Sequence, residues 1–481
     1  MGLMWAVRRN SYFDSIDLMR VAEHARQLAG VAEVGVAMAT PSGRSMLAEA
    51  GMWPAEAPDA GPSDLMIAVR AASEVVGKHA LARVEELLTA SRDVGQTRAD
   101  ALPRTTFAAA RASAATDVAL IAVPGAHAAI EAHQALSAGL HVFLFSDGVS
   151  LDDEVALKRR ARDRGLLVMG PECGTAIING VGLGFANRVR RGSVGLVGAS
   201  GTGIQELTCL IHRLGGGVSH AIGTGGRDLQ SGVGGLTTLQ GVAALGADPE
   251  TQVLLIVSKP SSPAVADAVL RAAVETRKPV VACLLGYAGT TPQGVHAAPT
   301  LEEAAVTAVK LTTGGVRELE APHVPGPAAR GAIRGLFTGG TLCDEAQRLI
   351  GGAPGRRFTD FGSEEYTRGR PHPIIDPSLR NAAIVVAAAD RDSSVLLLDL
   401  VLGDCAHPDP AGALRPALAE ARSRRRGREQ AIVVHVVGTG DDPQGLEPQE
   451  EELRKAGAIV CASNRIAALA ARAIAEGRDA I

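Results

Sequence analysis

Apolar residues recur in this chain with two periods, and the switching between them sets the fold class. A helical period over Ser15 to Leu28 predicts a first helix, followed by a strand over Val34 to Met38 and a helix near Ser45. A strand over Leu65 to Val69 and a charged helix over Ala72 to Ala90 complete a small mixed α/β unit, residues 1–100, with a linker over Gln96 to Pro103. Short solid apolar runs then alternate with helical stretches. Strands are predicted over Asp117 to Val123, Val142 to Phe145 and Leu166 to Met169, with helices over Ala126 to Ala138 and Ser150 to Arg164 between them. Solid runs are what parallel strands covered on both faces require, and the βαβ rhythm makes the sheet parallel. Residues 101–191 therefore read as a partial Rossmann-like domain, closed by the turn Gly170-Pro171-Glu172-Cys173-Gly174.

Two later stretches share one order. Val194-Gly-Leu-Val-Gly-Ala-Ser-Gly-Thr-Gly-Ile-Gln-Glu206 and Ile333-Arg-Gly-Leu-Phe-Thr-Gly-Gly-Thr-Leu-Cys-Asp-Glu345 both read strand, glycine-rich turn, helix start. Each is followed by a very apolar strand, Val253 to Val257 or Val395 to Leu398, and then by another, Pro279 to Leu285 or Ala431 to Val437. The repetition predicts two copies of one flavodoxin-like fold, residues 192–320 and 330–481, joined by a Pro/Gly/Ala linker around Ala321 to Ala329. The fold class is thus α/β, with several doubly wound parallel-sheet domains.

Composition changes this picture little. Hydrophobic residues make up 46% of the 481, aromatics only 3%, so the cores are built from Val, Leu, Ile and Ala. A net charge of −4 gives no general attraction to nucleic acid or membrane. The arginine-rich run Arg422 to Arg428 has polar, helical flanks and reads as a solvated connector. The first residues lack the apolar stretch of a signal peptide, and no run is long enough for a membrane span. Six scattered cysteines without a CxxC pair suit reduced thiols, so a cytoplasmic protein is expected. The histidines show no metal-ligand spacing, and no metal is expected.

The glycine-rich turns carry the candidate chemistry. At Ser200, Gly201, Thr202 and Gly203 the backbone turns sharply into a helix whose first N–H groups lack internal partners. Phosphate fits that arrangement, and a capped strand-to-helix connection is the plain alternative. The second loop, with Gly339, Gly340 and Thr341, repeats the pattern at the same fold position. Ligands bind at the carboxyl ends of parallel strands, so the repetition favours phosphate. Further turns at those ends supply partners. Gly225, Gly226, Arg227 and Asp228 follow one strand, where Arg227 either clamps an anion or pairs with Asp228. Lys259 ends a buried strand and suits an anion site. Arg370 and His372 lie in a proline-stiffened turn, facing a substrate or serving only the turn. Arg227, Lys259 and His372 are the catalytic candidates; Gly225, Gly226, Asp228 and Arg370 are those for substrate. Cys343 and Cys173 read as packing residues before nucleophiles.

These residues carry a family resemblance. Gly170 to Cys173, Val194 to Thr202 and Gly223 to Gly226 resemble the α subunit of succinyl-CoA synthetase, and the C-terminal part resembles the end of its β subunit. Nearly the whole chain resembles the FdrA-type, acyl-CoA-synthetase-like proteins, through Asp147 to Leu151, Gly198 to Leu207, Ala221 to Leu229 and Gly369 to Arg380. The resemblance implies two "power helices" that present their N-termini to phosphate, beginning at Ser200 to Thr202 and Gly339 to Thr341. It implies an acyl phosphate or carbamoyl phosphate with a small carboxylate or amide, partner subunits and an oligomer, with CoA as the one implied cofactor. Three departures matter. The synthetase's phosphohistidine loop has only His296, in an altered loop, as counterpart, and His296 reads as a solvent-facing histidine. The glycine-rich turn that opens a CoA-binding unit is missing, as is an ATP-grasp domain, so this chain alone is not expected to use ATP. Three activities follow as expectations: acyl-CoA ligase chemistry, carbamoyl transfer without CoA, or a non-catalytic binding subunit.

Overall fold

The computed structural model describes residues 2–9, 11, 13, 15–54, 60–99, 116–320, 322, 330–424 and 430–478. Most of the 321–329 linker, the 425–428 part of the arginine run and residues 100–103 lie outside them. The chain forms two compact units, Met1–Arg104 with Arg368–Arg370, and Thr105–Thr367 with Pro371–Ile481.

The first unit runs β1 (Gly2–Arg8), α1 (Ser15–Arg26), β2 (Val31–Met38), α2 (Pro41–Glu49), β3 (Leu65–Ala71) and α3 (Glu74–Ala99). Its sheet has the order β1-β3-β2, with both outer strands antiparallel to β3. Leu65, Ile67 and Val69 of β3 join one core with α1 and α3, while Met66 and Ala68 join another with Leu47 of α2, which is why this strand is solidly apolar. Helix α3 continues to Ala99, over the first residues expected to form a linker. No proline interrupts 91–99, since the next one along the chain is Pro103.

The second unit contains three sheets. β4 (Val118–Ile121), α4 (Gly125–Ser137), β5 (His141–Leu144), α5 (Leu151–Asp163) and β6 (Val168–Met169) form a three-stranded parallel sheet. Helix α5 is capped by Ser150, whose Oγ accepts from Asp153 N at 3.1 Å. A hairpin of β7 (Thr175–Ile178) and β8 (Val181–Gly184) follows, turning on Asn179 and Gly180, both at positive φ.

The hairpin adds antiparallel to a sheet of parallel strands, built from β9 (Arg191–Ala199), α6 (Gly201–Arg213), β10 (Val218–Gly223), α7 (Leu236–Ala247), β11 (Val253–Ser258), α8 (Pro263–Glu275), β12 (Val280–Leu284), β13 (Val295–Ala297) and α9 (Leu301–Thr313). The strand order is β13-β12-β11-β9-β10-β7-β8. The last sheet is parallel with order β15-β14-β16-β17-β18. It comes from β14 (Ala332–Phe337), α10 (Gly340–Ile350), β15 (Arg357–Asp360), α11 (Glu364–Thr367), α12 (Ser378–Ala389), β16 (Ser393–Val401), α13 (Pro410–Arg424), β17 (Ala431–Val437), α14 (Leu446–Lys455), β18 (Ile459–Cys461) and α15 (Asn464–Glu476).

One core joins these two sheets. Leu196 and Leu255 of the first and Val395 and Leu397 of the second belong to a single buried cluster with residues of α6, α9, α10 and α15. Alanines on α9 and α15, such as Ala304, Ala308, Ala467 and Ala471, are fully buried in it. Their small side chains let backbones approach, which brings the starts of α6 and α10 together.

Candidate active site

The two glycine-rich turns meet. Ser200 is the N-cap of α6, and its Oγ accepts from Gly203 N at 3.0 Å. The same Oγ lies 2.5 Å from Thr341 Oγ1, in the first turn of α10. A Cβ on Gly203 would collide with that capping hydroxyl, and one on Gly339 would press on Thr202 at 3.0 Å. The first N–H groups of both helices, at Gly201 and Thr202 and at Gly340 and Thr341, have no intrahelical acceptors, and both helix dipoles place positive charge there.

The turn before α10 also has an internal anion. Asp399 of β16 accepts from Thr338 N at 2.6 Å and from Gly339 N at 2.7 Å. The buried Arg380 of α12 donates to Asp399 Oδ1 at 3.2 Å and to its backbone oxygen at 2.6 Å. Burial raises the Asp399 pKa, and Arg380 and the two amides oppose the rise. Gly339 therefore spends its N–H on the protein itself, which leaves Gly340 and Thr341 as the open donors of this loop.

Lys259, one residue past β11, reaches Asp360 at the end of β15, Nζ to Oδ2 at 3.9 Å. A Cβ on Gly340 would overlap both the Asp360 carboxylate and the Lys259 ammonium, so this glycine lets the pair sit against the helix start. His372 comes in beside them. Its Nε2 would lie 2.8 Å from a Cβ on Gly362, and its ring centroid is 5.6 Å from that of Phe185. Burial, aided by Lys259, lowers the His372 pKa to about 4, so the imidazole is neutral at physiological pH. Nδ1 accepts from Ile374 N at 3.2 Å, which puts the ring proton on Nε2. Burial raises the Cys343 thiol pKa, which suits packing rather than attack.

The other sequence candidates lie elsewhere. Arg227 donates Nε to Glu154 at 3.0 Å and Nη2 to Val149 O at 2.8 Å. Asp228 was expected to touch substrate but is fully buried. Its carboxylate binds Lys158 Nζ at 2.7 Å and caps α7 through Thr237 N and Thr238 N, so every lone pair is directed into the fold. Gly225 packs its backbone on Pro171 O, and Gly226 is exposed with open space around it. Arg370 falls in the 368–370 stretch grouped with the first unit and pairs with Glu49 at 3.0 Å. His296 is exposed on the edge strand β13. Asp360, Asp399 and Arg380 were not anticipated. Lone charges within or beside apolar runs were the available signal.

Residues 189–286 match the CoA binding domain family and residues 336–474 the CoA-ligase family, while residues 1–103 match a family described as "AllF, heavy metal-associated domain". An Escherichia coli K12 protein, "Uncharacterized protein YahF", is 40% identical over the full length of both chains. The chain belongs to the FdrA-type family of the succinyl-CoA synthetase superfamily. The malate–CoA ligase α subunit of Methylorubrum extorquens is 30% identical over 38% of this chain and 61% of its own. A dinucleotide-forming acetyl-coenzyme A synthetase 1 from Ca. Korarchaeum cryptofilum overlays 75% of this chain and 82% of its own, at 16% identity and a TM-score of 0.34. The family's domains are of the CoA-ligase type.

Two groups implied by these families can be tested on the residues present. The first 103 residues contain no cysteine, and among the described residues no three His, Cys, Asp or Glu gather as metal ligands, so a heavy metal does not fit this N-terminal unit. A CoA pyrophosphate needs open space at a glycine turn. At Gly201, in the glycine turn of the matched 189–286 stretch, an added Cβ would meet nothing closer than Gly174 Cα at 3.9 Å, so this turn has that space, whereas at Gly125, outside the match, the place of a Cβ is filled by the Asp147 and Gly148 backbone. Among the described residues, no helix is long and apolar enough to cross a membrane.

Proposed function

We propose that the chain is an enzyme of CoA-ligase type that handles an acyl phosphate, with the phosphoryl group held between the starts of α6 and α10. The contact of Ser200 Oγ with Thr341 Oγ1 carries this reading, since it brings two sets of open helix amides to one place. Gly201, Thr202, Gly340 and Thr341 form the cradle, with the Gly203 amide held by the Ser200 cap and the Gly339 amide by Asp399. Lys259 is the cation beside it, and His372 a neutral Nε2–H donor. In this division residues 192–320 and 330–481 are the ligase-type domains, 101–191 is a reduced nucleotide-binding fold, and 1–100 is a separate N-terminal unit. When a nucleophile attacks the acyl carbon, the bond from that carbon to the bridging oxygen breaks, the oxygen–phosphorus bond stays, and the electron pair leaves with phosphate. Lys259 and the helix starts stabilise that growing negative charge.

A second reading is carbamoyl transfer from carbamoyl phosphate to a small amide such as oxamate, without CoA or ATP. The His372 tautomer favours it, because a ring nitrogen that bears its proton is not a phosphoryl acceptor, and His296 is exposed at a sheet edge. The acyl phosphate would then arrive ready-made. The test is to give the purified chain, alone and with genomically neighbouring candidate subunits, either carbamoyl phosphate with oxamate or ATP, CoA and a carboxylic acid. Acyl-CoA in the second mixture supports the ligase. Phosphate release with carbamoyl-product formation only in the first supports transfer. Silence in both, with phosphate still bound, supports a binding subunit.

A further inference from the structure

Both phosphate-facing helices carry a glutamate six residues after the N-cap, Glu206 after Ser200 and Glu345 after Gly339, and both are almost wholly buried. Each accepts from the first backbone N–H of the other domain's last helix. Glu345 of α10 takes Leu301 N, the start of α9, at 2.7 Å. Glu206 of α6 takes Asn464 N, the start of α15, at 3.3 Å. The two caps are therefore crossed between the sheets. Asn464 ties them together, because its Nδ2 donates to Glu345 Oε2 at 2.7 Å and to Leu342 O at 3.0 Å. His435 of β17 completes the cluster, with Nε2 2.7 Å from Glu206 Oε2 and Nδ1 3.0 Å from Cys461 O.

We infer that Glu206 and Glu345 are positioning residues that hold the two helix starts at the separation a phosphoryl group requires. A buried carboxylate costs stability unless fully paired, and an apolar pair here would pack at lower cost. What the charges add is direction. The cradle takes Gly201, Thr202 and Lys259 from the seven-stranded side and Gly340, Thr341 and His372 from the five-stranded side. Sliding one sheet on the other would break a cap on each side at once. The Ser200–Thr341 contact closes the same arrangement at the ligand end, and the crossed caps close it about two helical turns below.

The inference rests on the phosphate reading, and the experiment separates the two. Calorimetric titration with inorganic phosphate is carried out on the full chain, as wild type, Glu345→Ala, Glu345→Gln and Asn464→Ala, alongside thermal melting and amide exchange. Glutamine keeps an oxygen for Leu301 N, and Asn464 Oδ1, which has no partner, can turn to accept from its amide. The expected result is a phosphate affinity about ten-fold or more lower in Glu345→Ala and Asn464→Ala, with the glutamine variant close to wild type. Wild-type affinity in a folded Glu345→Ala or Asn464→Ala overturns the inference, as does a glutamine variant no better than alanine. If Glu345→Ala does not fold, Asn464→Ala decides, since it removes the same side-chain tie and leaves both backbone caps. If wild type binds no phosphate, the phosphate reading fails, and amide exchange judges the brace alone. Unchanged protection at Leu301 in Glu345→Ala, or at the first turn of α10 in Asn464→Ala, would then refute it.

Discussion

Gly201→Asp separates binding from stability because the two respond with opposite signs. Gly201 is the first residue of α6, and an added Cβ would find no atom closer than Gly174 Cα at 3.9 Å, so the Cβ enters open space. A carboxylate in the first turn of a helix stabilises it by about 0.3–1 kcal/mol. The same carboxylate stands where the phosphoryl group is proposed to sit. At about 5 Å and an effective dielectric of about 20, two unit charges repel by roughly 3 kcal/mol. Each 1.4 kcal/mol is about ten-fold in affinity, so phosphate binding should weaken by about two orders of magnitude. Titration with inorganic phosphate and a thermal melt under the same buffer read both quantities. The expected pattern is an unchanged or slightly raised melting temperature with phosphate affinity lost, and Gly201→Asn, equal in size but neutral, retaining most of it. A Gly201→Asp protein that binds phosphate within about three-fold of wild type would refute the cradle, because at that distance the repulsion cannot be avoided.

Other expectations follow from burial and charge. Lys158 is fully buried between Glu154 and Asp228 at 2.7 Å each, so Lys158→Ala should cost about 3–5 kcal/mol in denaturant unfolding, while Lys455→Ala, at an exposed pair, should leave the unfolding curve nearly unchanged. His372 has its folded pKa lowered from 6.5 to about 4, so the unfolded chain binds the extra proton first. Stability should therefore fall between pH 6.5 and 4 by at most about 3 kcal/mol, and His372→Gln should flatten that part of the curve. Burial raises Glu345 from 4.5 to about 7, which has the opposite sign: its contribution is lost as pH rises from 4.5 through 7, and Glu345→Gln should reduce that loss in melts at pH 8. Of the six cysteines only Cys405 is exposed, so a thiol reagent should label one site quickly in the native protein and the rest on unfolding. Rapid modification of Cys343 would contradict its packing role.

The fold was legible wherever a segment carried its own periodic signal. The strand–turn–helix repeats at Gly198 and Gly339 and the apolar runs at Val253 and Val395 declared parallel sheets, because strands covered on both faces cannot be written in any other alphabet. Among the missed strands, three were hidden for local reasons. The hairpin of β7 and β8 hid in a stretch rich in glycine, although Asn179-Gly180 between apolar residues is the strongest short signal for such a turn. The edge strand β1 is only partly buried, so its residues do not alternate cleanly. The end of α3 ran on because a polar helix without a stop signal has no reason to end at Gln96.

The site was legible in its glycines and opaque in its charges, and the difference is physical. A glycine that admits a neighbour's backbone or a lysine end leaves a local mark in the turn. A buried charge shows its purpose only through a partner far along the chain. Asp399 looks like one acid within an apolar strand until Arg380 and the Thr338 and Gly339 amides are seen around it. Once they are, the second loop differs from the first: the amide of its N-cap, Gly339, is held by an internal carboxylate, and the open donors follow it at Gly340 and Thr341. Arg227 shows the converse. It looked like the anion clamp, yet Glu154 and Val149 O already hold it, so the cation against the cradle is Lys259. An anion entering between α6 and α10 therefore meets one lysine, one neutral histidine and two helix starts. Asp360 stands beside that lysine against the same helix start and offsets part of its attraction for an anion. That balance favours a group that arrives and leaves as phosphate over one that stays bound.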